Sequence, residues 1–298
     1  MTFARPSPDI QGKILILPIV STANVAQLAA DILIATFGLR RLAVLDPSYL
    51  VPVVGPSEYE ADELATAIEL YGADSVPFAV VQQRAPVLKA HKQEFVDALL
   101  AFVQETKPSA LITLSGVDMS NRMDEQMMIP TYHIIPPGTS DMQSSPLRAL
   151  TGLPIPPYAS PVPQFLSTPG GIPDGAARAA LSDPGASLSD PINSLSLSDP
   201  INSSSRTNDP TTTATALPFI PGGGLTRRLL GSLPPGWPVP TAALLHFVLE
   251  GDNRGDAQLL AAVVARVVGV DAGAKGWRQP PSWGMGLFGT PQDQTLYG

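Results

Sequence analysis

Cysteine is absent from the 298 residues of this chain. Disulfides, zinc–thiolate sites and thiol nucleophiles are therefore excluded, and nothing in the composition demands an oxidising compartment. Positive charge is also scarce, since 18 Lys and Arg stand against 26 Asp and Glu and the net charge is −8. Nucleic acids and anionic membrane surfaces are bound by clustered basic side chains. The charge balance therefore disfavours both kinds of partner.

Long hydrophobic runs are missing as well. The longest, at residues 13–20 and 242–249, are far shorter than the ~20 apolar residues that span a bilayer. The opening residues 1–6 lack the basic and then apolar segments of a secretory signal. We therefore expect a soluble intracellular protein, in the cytoplasm and with the nucleus as a further compartment.

Apolar runs and helical patterns alternate along the first 135 residues. Helices are predicted at 25–37, which ends at Gly38, and at 89–105. The fold class predicted from this alternation is α/β, with one domain whose central, mostly buried sheet is flanked by helices. Strands are predicted at the short apolar runs 13–20, 41–45, 67–71, 77–82, 110–115 and 132–135.

The composition changes between residues 136 and 216, where proline, serine and threonine dominate. The heptapeptide Leu-Ser-Asp-Pro-Ile-Asn-Ser occurs at 188–194 and again at 197–203, with a looser copy at 181–187. Repeats this short cannot bury an apolar face, and the segment has too few large apolar side chains to offset the entropy of ordering. We interpret 136–216 as a disordered insertion in one domain spanning 1–298, with an interdomain linker as the alternative.

Apolar patterning resumes at Leu217. The glycines at 222–224 predict a tight turn that leads into a short helix. Two more helices are predicted, a compact apolar one at 241–250 and an amphipathic one at 255–268. From residue 284 onward glycine and proline prevent regular structure, so 284–298 is expected to be a flexible tail.

No residues have the spacing of a catalytic or metal site. Gly222–Gly224 could bind an anion at a helix start, but the Lys and Ser/Thr of a phosphate loop do not follow it. We expect a structural turn there and keep a phosphorylase- or hydrolase-like enzyme as the alternative function. Three histidines are expected to be structural, namely His91 and His246 on predicted helices and His133 on a predicted strand or turn. The polar run 250–256 is expected to cap helices, and no cofactor or metal is expected.

The last three residues, Leu296, Tyr297 and Gly298, follow the pattern hydrophobic–tyrosine–any residue. They offer an apolar anchor, an aromatic hydroxyl and a terminal carboxylate to a pocket on another protein. Tyrosine fills 6 of 298 positions, so chance alone gives such an ending in roughly 1% of chains of this composition. We therefore select these residues as the candidate partner-binding site.

Five segments resemble the proteasome assembly chaperone 2 family and follow one another in the family's order. The middle of the chain, which is rich in proline and serine, has no counterpart in this resemblance. The segments are residues 16–33, Leu50-Val-Pro-Val-Val-Gly55, Ile220-Pro-Gly-Gly-Gly-Leu-Thr226, Leu245-His-Phe-Val-Leu-Glu-Gly-Asp-Asn253 and Pro281-Ser-Trp-Gly-Met-Gly-Leu-Phe-Gly289.

The resemblance implies a single nucleoside-phosphorylase-like α/β domain without enzyme activity. It also implies a heterodimer with the partner chaperone, of the proteasome assembly chaperone 1 type, docked on the proteasome α-subunit ring to promote its assembly. Tails that end hydrophobic–Tyr–any residue are expected in this family to enter pockets between α subunits. By this resemblance Leu296 would pack, Tyr297 would stack, and the carboxylate of Gly298 would pair with a pocket lysine.

Overall fold

A sheet forms the centre of the protein in a computed structural model that describes residues 10–59, 63–139, 142–160 and 217–284. Seven strands make up this sheet, and β3 and β4 form a separate hairpin. In chain order the strands are β1 (Ile14–Pro18), β2 (Arg40–Val44), β3 (Val54–Pro56), β4 (Leu64–Thr66), β5 (Ile68–Gly72), β6 (Phe78–Gln83), β7 (Ala110–Asp118), β8 (Thr131–Ile134) and β9 (Thr241–Val248). The α-helices are α1 (Val25–Phe37), α2 (Lys92–Thr106), α3 (Gly224–Gly231) and α4 (Arg254–Val268).

The strand order of the sheet is β2-β5-β6-β1-β7-β9-β8, and its four central strands β6, β1, β7 and β9 are parallel. β1 pairs in parallel with β6 on one side and with β7 on the other, and β7 pairs in parallel with β9. β5 lies antiparallel between β2 and β6, and β8 closes the far edge antiparallel to β9. The carboxyl ends of β1, β7 and β9 therefore meet at one edge of the sheet.

Alternate residues of the central strands face two different helical layers. Ile14 and Ile16 of β1 pack in a cluster with α1 and α4, whereas Leu15 and Leu17 pack with α2 and α3. Because both faces are buried, these strands have continuous apolar sequences rather than alternating ones. The predicted α/β class, with a buried sheet between helices, is confirmed.

The predicted elements of the first half are found close to their expected positions. The six predicted strands correspond to β1, β2, β5, β6, β7 and β8. Gly38 ends α1 as expected, because it adopts a left-handed backbone (φ 61°) and its N–H donates to the Ile34 carbonyl. In the second half, the helix predicted at 255–268 is α4.

Residues 241–250 are not the helix that the sequence predicted. Thr241–Val248 form β9, which is inserted between β7 and β8, and all 8 of its residues are buried. Periodicity cannot separate a short apolar helix from a strand that is buried on both faces. His246 therefore lies on a strand, and Gly251 does not end a helix.

The packed chain continues past Pro136, where the disordered insertion was predicted to begin. Tyr158 is buried, and its N–H donates to the His133 carbonyl (2.8 Å), while the His133 N–H donates to the Pro156 carbonyl (3.0 Å). This segment thereby covers the outer edge of β8. The prediction of disorder is wrong for 142–160, because proline-rich sequence also protects sheet edges.

Several predictions fall on residues outside the described part of the chain. These are the remainder of the predicted insertion, 161–216, and the tail after Gly284. All described residues belong to one compact unit, while a single domain over 1–298 stays a prediction. None of the described helices is both long and apolar enough to cross a membrane.

Candidate functional site

The three residues selected from the sequence, Leu296, Tyr297 and Gly298, lie outside the described residues, so their partner-binding role stays a prediction. The structure does show where the tail begins. The Trp283 carbonyl accepts from Arg254 Nη1 (3.4 Å), and Arg254 is the first residue of α4. The tail therefore leaves the body next to the N-terminal end of α4.

The carboxyl ends of β1 and β7 are joined by a close backbone contact. Ser21 Oγ, after β1, accepts from the Gly116 N–H of β7 (2.8 Å) and donates to the Ile19 carbonyl (2.9 Å). A Cβ at Gly116 would lie 2.5 Å from the Thr22 carbonyl oxygen. Only glycine permits this approach, which fills the edge where α/β folds commonly bind ligands.

The carboxylate of Glu250, which follows β9, binds a backbone N–H in front of α1. Ala23 and Asn24 both have positive φ (56° and 51°), and Glu250 Oε1 accepts from the Ala23 N–H (3.0 Å). Backbone N–H groups before a helix are a common position for bound anions. In this chain that position is filled by its own Glu250.

Replacing Glu250 with alanine should lower the free energy of unfolding by about 1 kcal/mol, because the strained turn at Ala23 loses its charged acceptor. Urea unfolding measures the change. Glu105→Ala, an exposed carboxylate on α2, is the matched control and should change the midpoint little. Equal midpoints for the two variants would contradict a role for the Glu250 contact.

The glycine run Gly222–Gly224 forms the tight turn that the sequence predicted. Gly222 has φ 69°, and the Gly223 N–H donates to the Ile220 carbonyl (3.0 Å). A Cβ at Gly223 would collide with the Ile220 side chain. Backbone conformation at Gly222 and close packing at Gly223 therefore account for these two glycines without a ligand.

His246 on β9 lies between polar side chains from two other elements. Its Nδ1 is 2.8 Å from Thr131 Oγ1 on β8, and its Nε2 is 3.5 Å from Asp256 Oδ1 on α4. A hydroxyl, an imidazole and a carboxylate in sequence can serve nucleophilic catalysis, but Thr131 is only 3% exposed. This hydroxyl is almost fully buried and is hydrogen-bonded to the imidazole, so the arrangement suits a structural role, as expected for this histidine.

Stability should depend on pH through His246. Burial lowers the pKa of His246, and the nearby Asp256 carboxylate opposes part of this effect. The unfolded ring titrates near 6.5, so between the two pKa values the unfolded chain binds the extra proton and stability falls as pH drops through this window. We expect a loss on the order of 1 kcal/mol between neutral and mildly acidic pH, measured by urea unfolding at the two pH values.

The His246→Gln variant should flatten this pH dependence, whatever its effect on stability at neutral pH. His91→Gln is the control, since the His91 side chain is 45% exposed and lies in a turn before α2. An unchanged slope in His246→Gln would show that another group causes the pH dependence.

A buried carboxylate on β5 was not selected from the sequence. Glu69 is 0% exposed and accepts from Arg41 Nη1 (2.8 Å), the Thr66 N–H (3.0 Å) and the Tyr71 hydroxyl (2.8 Å). Burial raises the pKa of Tyr71, and the negative charge of Glu69 adds to this effect. The hydroxyl therefore stays protonated and continues to donate to the carboxylate.

A second buried ion pair joins α1 to the end of β6. Asp31 Oδ1 accepts from Arg84 Nη2 (3.1 Å) and from Gln82 Nε2 (2.8 Å). Burial raises the pKa of Asp31, while the positive charge of Arg84 opposes this effect. The partners are 53 residues apart in the chain, which is why spacing in the sequence did not indicate the pair.

No cluster of three His, Asp or Glu side chains with metal-binding geometry occurs in the described part of the chain. The polar run 250–256 instead makes local contacts. Asp252 Oδ1 accepts from the Arg254 N–H (3.2 Å) at the start of α4, and the Asn253 side chain donates to the Gly251 carbonyl (2.9 Å). The predicted capping is found only in part, because Asn253 at the N-cap position of α4 makes no side-chain capping hydrogen bond and Asp252 binds the first N–H of the helix instead.

Comparison with known proteins identifies similar chains over most of this length. The PAC2 family model matches residues 15–184. Proteasome assembly chaperone 2 of Nematostella vectensis is 30% identical over 84% of this chain and 86% of that protein. Proteasome assembly chaperone 2 of Danio rerio is 26% identical over 95% of this chain and 94% of that protein.

One solved structure with a similar fold is Pyrococcus furiosus PbaA, described as an archaeal homolog of proteasome-assembly chaperone. It superposes with a TM-score of 0.53 and covers 91% of this chain and 84% of that chain. The sequences are only 12% identical, so this similarity concerns the fold alone.

Proposed function

This chain belongs to the PAC2 family, and on that basis we propose that it is a non-catalytic chaperone for assembly of the proteasome core particle. The main support for the proposal is the large share of the chain that similar proteins match. Relatives named Proteasome assembly chaperone 2 match 84% and 95% of the chain. A match over 95% of the chain must include residues on both sides of 161–216, so the similarity concerns the whole packed body.

The chain is proposed to act as a heterodimer with a proteasome assembly chaperone 1-type partner, bound to the α-subunit ring in the cytoplasm and in the nucleus. The β3–β4 hairpin supports a protein partner. Pro56 pairs with Leu64 and Val54 pairs with Thr66, so Val54 and Leu64 lie on one face, where both are exposed. Exposed apolar surface of this kind is typical of protein interfaces.

We also propose that the chain is not an enzyme. In α/β folds the carboxyl ends of parallel strands commonly hold substrates. Here the Ser21–Gly116 contact fills that edge, and Glu250 accepts from the Ala23 N–H where an anion would bind. These two contacts support a non-catalytic role, because the chain itself fills the position at which related folds bind a ligand.

The proposed contact with the α ring is the C-terminal tail. Leu296, Tyr297 and Gly298 have the hydrophobic–tyrosine–any residue pattern, which suits an apolar pocket with a positive charge for the terminal carboxylate. The folded body of the heterodimer would add contact area, so the tail and the body would bind together with higher avidity than either alone.

Native mass spectrometry of the tagged full chain, co-expressed with a chaperone 1-type partner and α subunits, tests the proposal. We expect a one-to-one chaperone pair and a larger species that also contains α subunits. Purification of the chain with neither would overturn the proposed function.

The enzyme alternative has a different expected result. A phosphorylase-like anion site would raise the melting temperature in saturating phosphate or nucleoside. We expect no such shift for the wild-type chain, because the Gly223 N–H of the glycine turn already donates to the Ile220 carbonyl and the Ala23 N–H donates to Glu250.

A further inference from the structure

Two adjoining apolar grooves lie beside helix α4. The first, of about 370 Å³, is lined by Leu259 and Val263 of α4. The second, of about 380 Å³, is lined by Leu150 and the prolines that follow. Ile129 and residues 153–155 line both grooves. Together the grooves have room for two neighbouring apolar side chains of one extended peptide.

Exposed methionines extend this apolar surface. Met128 is 88% exposed and precedes Ile129, which lines both grooves. Met127 and Leu259, on the same loop and on α4, are also exposed. Contiguous exposed apolar surface marks binding sites, and flexible methionine side chains adapt to the shape of a bound segment.

The second groove contains a hydrogen-bond acceptor. His133 lines it, and His133 Nδ1 is 2.7 Å from the Ile155 carbonyl. A carbonyl only accepts, so Nδ1 carries the proton and Nε2 of the neutral ring is left as an acceptor. Burial lowers the pKa of His133, which keeps the ring neutral. An acceptor in an apolar groove suits a phenol hydroxyl.

The first groove contains a positive charge. Arg266 is the one charged side chain in its described lining, and the described lining of the second groove has no Asp or Glu. Arg266 is exposed and has no described ion-pair partner. The grooves therefore suit a segment that combines apolar side chains with a carboxylate.

The tail of this chain is close enough to reach the grooves. It leaves beside Arg254, at the start of α4, and α4 has 15 residues, so Arg266 lies about 18 Å further along the helix. Residues 285–298 span up to ~46 Å when extended. The chain end can thus reach Arg266 with length to spare.

We propose that the paired grooves bind the chain's own C-terminal residues, Leu296, Tyr297 and Gly298. The tyrosine hydroxyl donates to His133 Nε2, and the terminal carboxylate pairs with Arg266. The docking does not depend on the proposed function. The regulatory consequence of docking does rest on the proposed function. A docked tail could not bind a pocket on the α ring until that pocket displaced it from the grooves.

A labelled peptide of residues 287–298, with a free carboxylate, tests the docking by fluorescence anisotropy. The protein is the full chain, either wild type or carrying Leu296→Ala and Tyr297→Ala to disable its own tail. The wild-type tail competes at an effective concentration in the millimolar range. We therefore expect the peptide to bind the tail-disabled chain about tenfold more tightly than the wild type.

Groove variants in the tail-disabled chain locate the site. Leu259→Asp and Arg266→Glu should each weaken peptide binding. Leu249→Asp is the matched control, because Leu249 is similarly exposed (54% against 46% for Leu259) but does not line either groove. An amidated peptide should be insensitive to Arg266→Glu. Melting temperatures of all variants check that the fold is kept.

Three results would overturn the proposal. The first is no binding to the tail-disabled chain, and the second is equal weakening by Leu249→Asp and Leu259→Asp. The third is equal binding to the wild-type and tail-disabled chains, which would mean that the grooves receive a segment of another molecule. None of these results bears on co-purification with α subunits, so failure of the docking is distinguishable from failure of the proposed function.

Discussion

The Asp31→Ala variant should lose about 3–5 kcal/mol of unfolding free energy, because it leaves the partly buried Arg84 charge without its partner. Asp31 also accepts from Gln82 (2.8 Å), so a second buried donor loses its acceptor. The pair joins α1 to β6, and both elements contribute to one core cluster. Denaturant unfolding followed by circular dichroism measures the loss.

Two comparisons separate the buried charge from a general effect of mutation. The double variant Asp31→Leu with Arg84→Met removes both charges and should recover much of the loss. Asp252→Ala breaks the exposed pair with Arg254 and should cost less than about 1 kcal/mol. If Asp31→Ala cost no more than Asp252→Ala, the buried pair would not matter for stability.

The Tyr297→Ala variant should weaken capture of α-subunit intermediates by about thirtyfold. The loss of one aromatic anchor from a pocket costs about 2 kcal/mol. Affinity is measured by titrating α-subunit assemblies against the surface-bound chaperone pair. Contacts made by the folded body reduce the observed effect if they dominate the avidity.

Tyr297→Phe separates the hydroxyl from the ring, and it should retain more binding than Tyr297→Ala. Formation of the chaperone pair should be the same for all three chains, since the exposed apolar face of the β3–β4 hairpin, and not Tyr297, is proposed to contact the partner chaperone. Capture at wild-type strength by Tyr297→Ala would remove the tail from the proposed contact with the α ring.

The fold was predictable wherever local patterns and tertiary packing agree. Residues 13–20 are apolar without interruption because β1 is buried on both faces, and that burial itself produces the pattern. Helix α1 was predictable because its apolar spacing ends at Gly38, where a left-handed residue is needed.

The sequence prediction failed where the same residues fit two structures. The apolar run at 241–248 fits a buried helix as well as a buried strand, and its place between β7 and β8 decides the outcome. The proline-rich residues 155–158 suit a disordered segment, yet they protect the edge of β8.

The sites depend on contacts that no local pattern reports. Glu250 and Ala23 are 227 residues apart in the chain, and only the meeting of strand ends brings them together. The grooves beside α4 combine residues from 129–133, 150–157 and α4, which are distant from one another in the sequence. The tail residues were selected from their own pattern, whereas a surface that could receive them required the packed structure.

The position of β9 has a consequence for the synthesis of this protein. Among the described strands, β9 is the neighbour of β8 and also the neighbour of β7 on that side, yet β9 is made long after both. The edges of β7 and β8 that pair with β9 therefore stay unpaired while the intervening chain is synthesised. Doubling the length of that interval adds only about 0.6 kcal/mol to closing the loop. The length of this interval should therefore have little effect on the stability of the finished sheet. It should mainly affect the time during which the nascent sheet can pair wrongly.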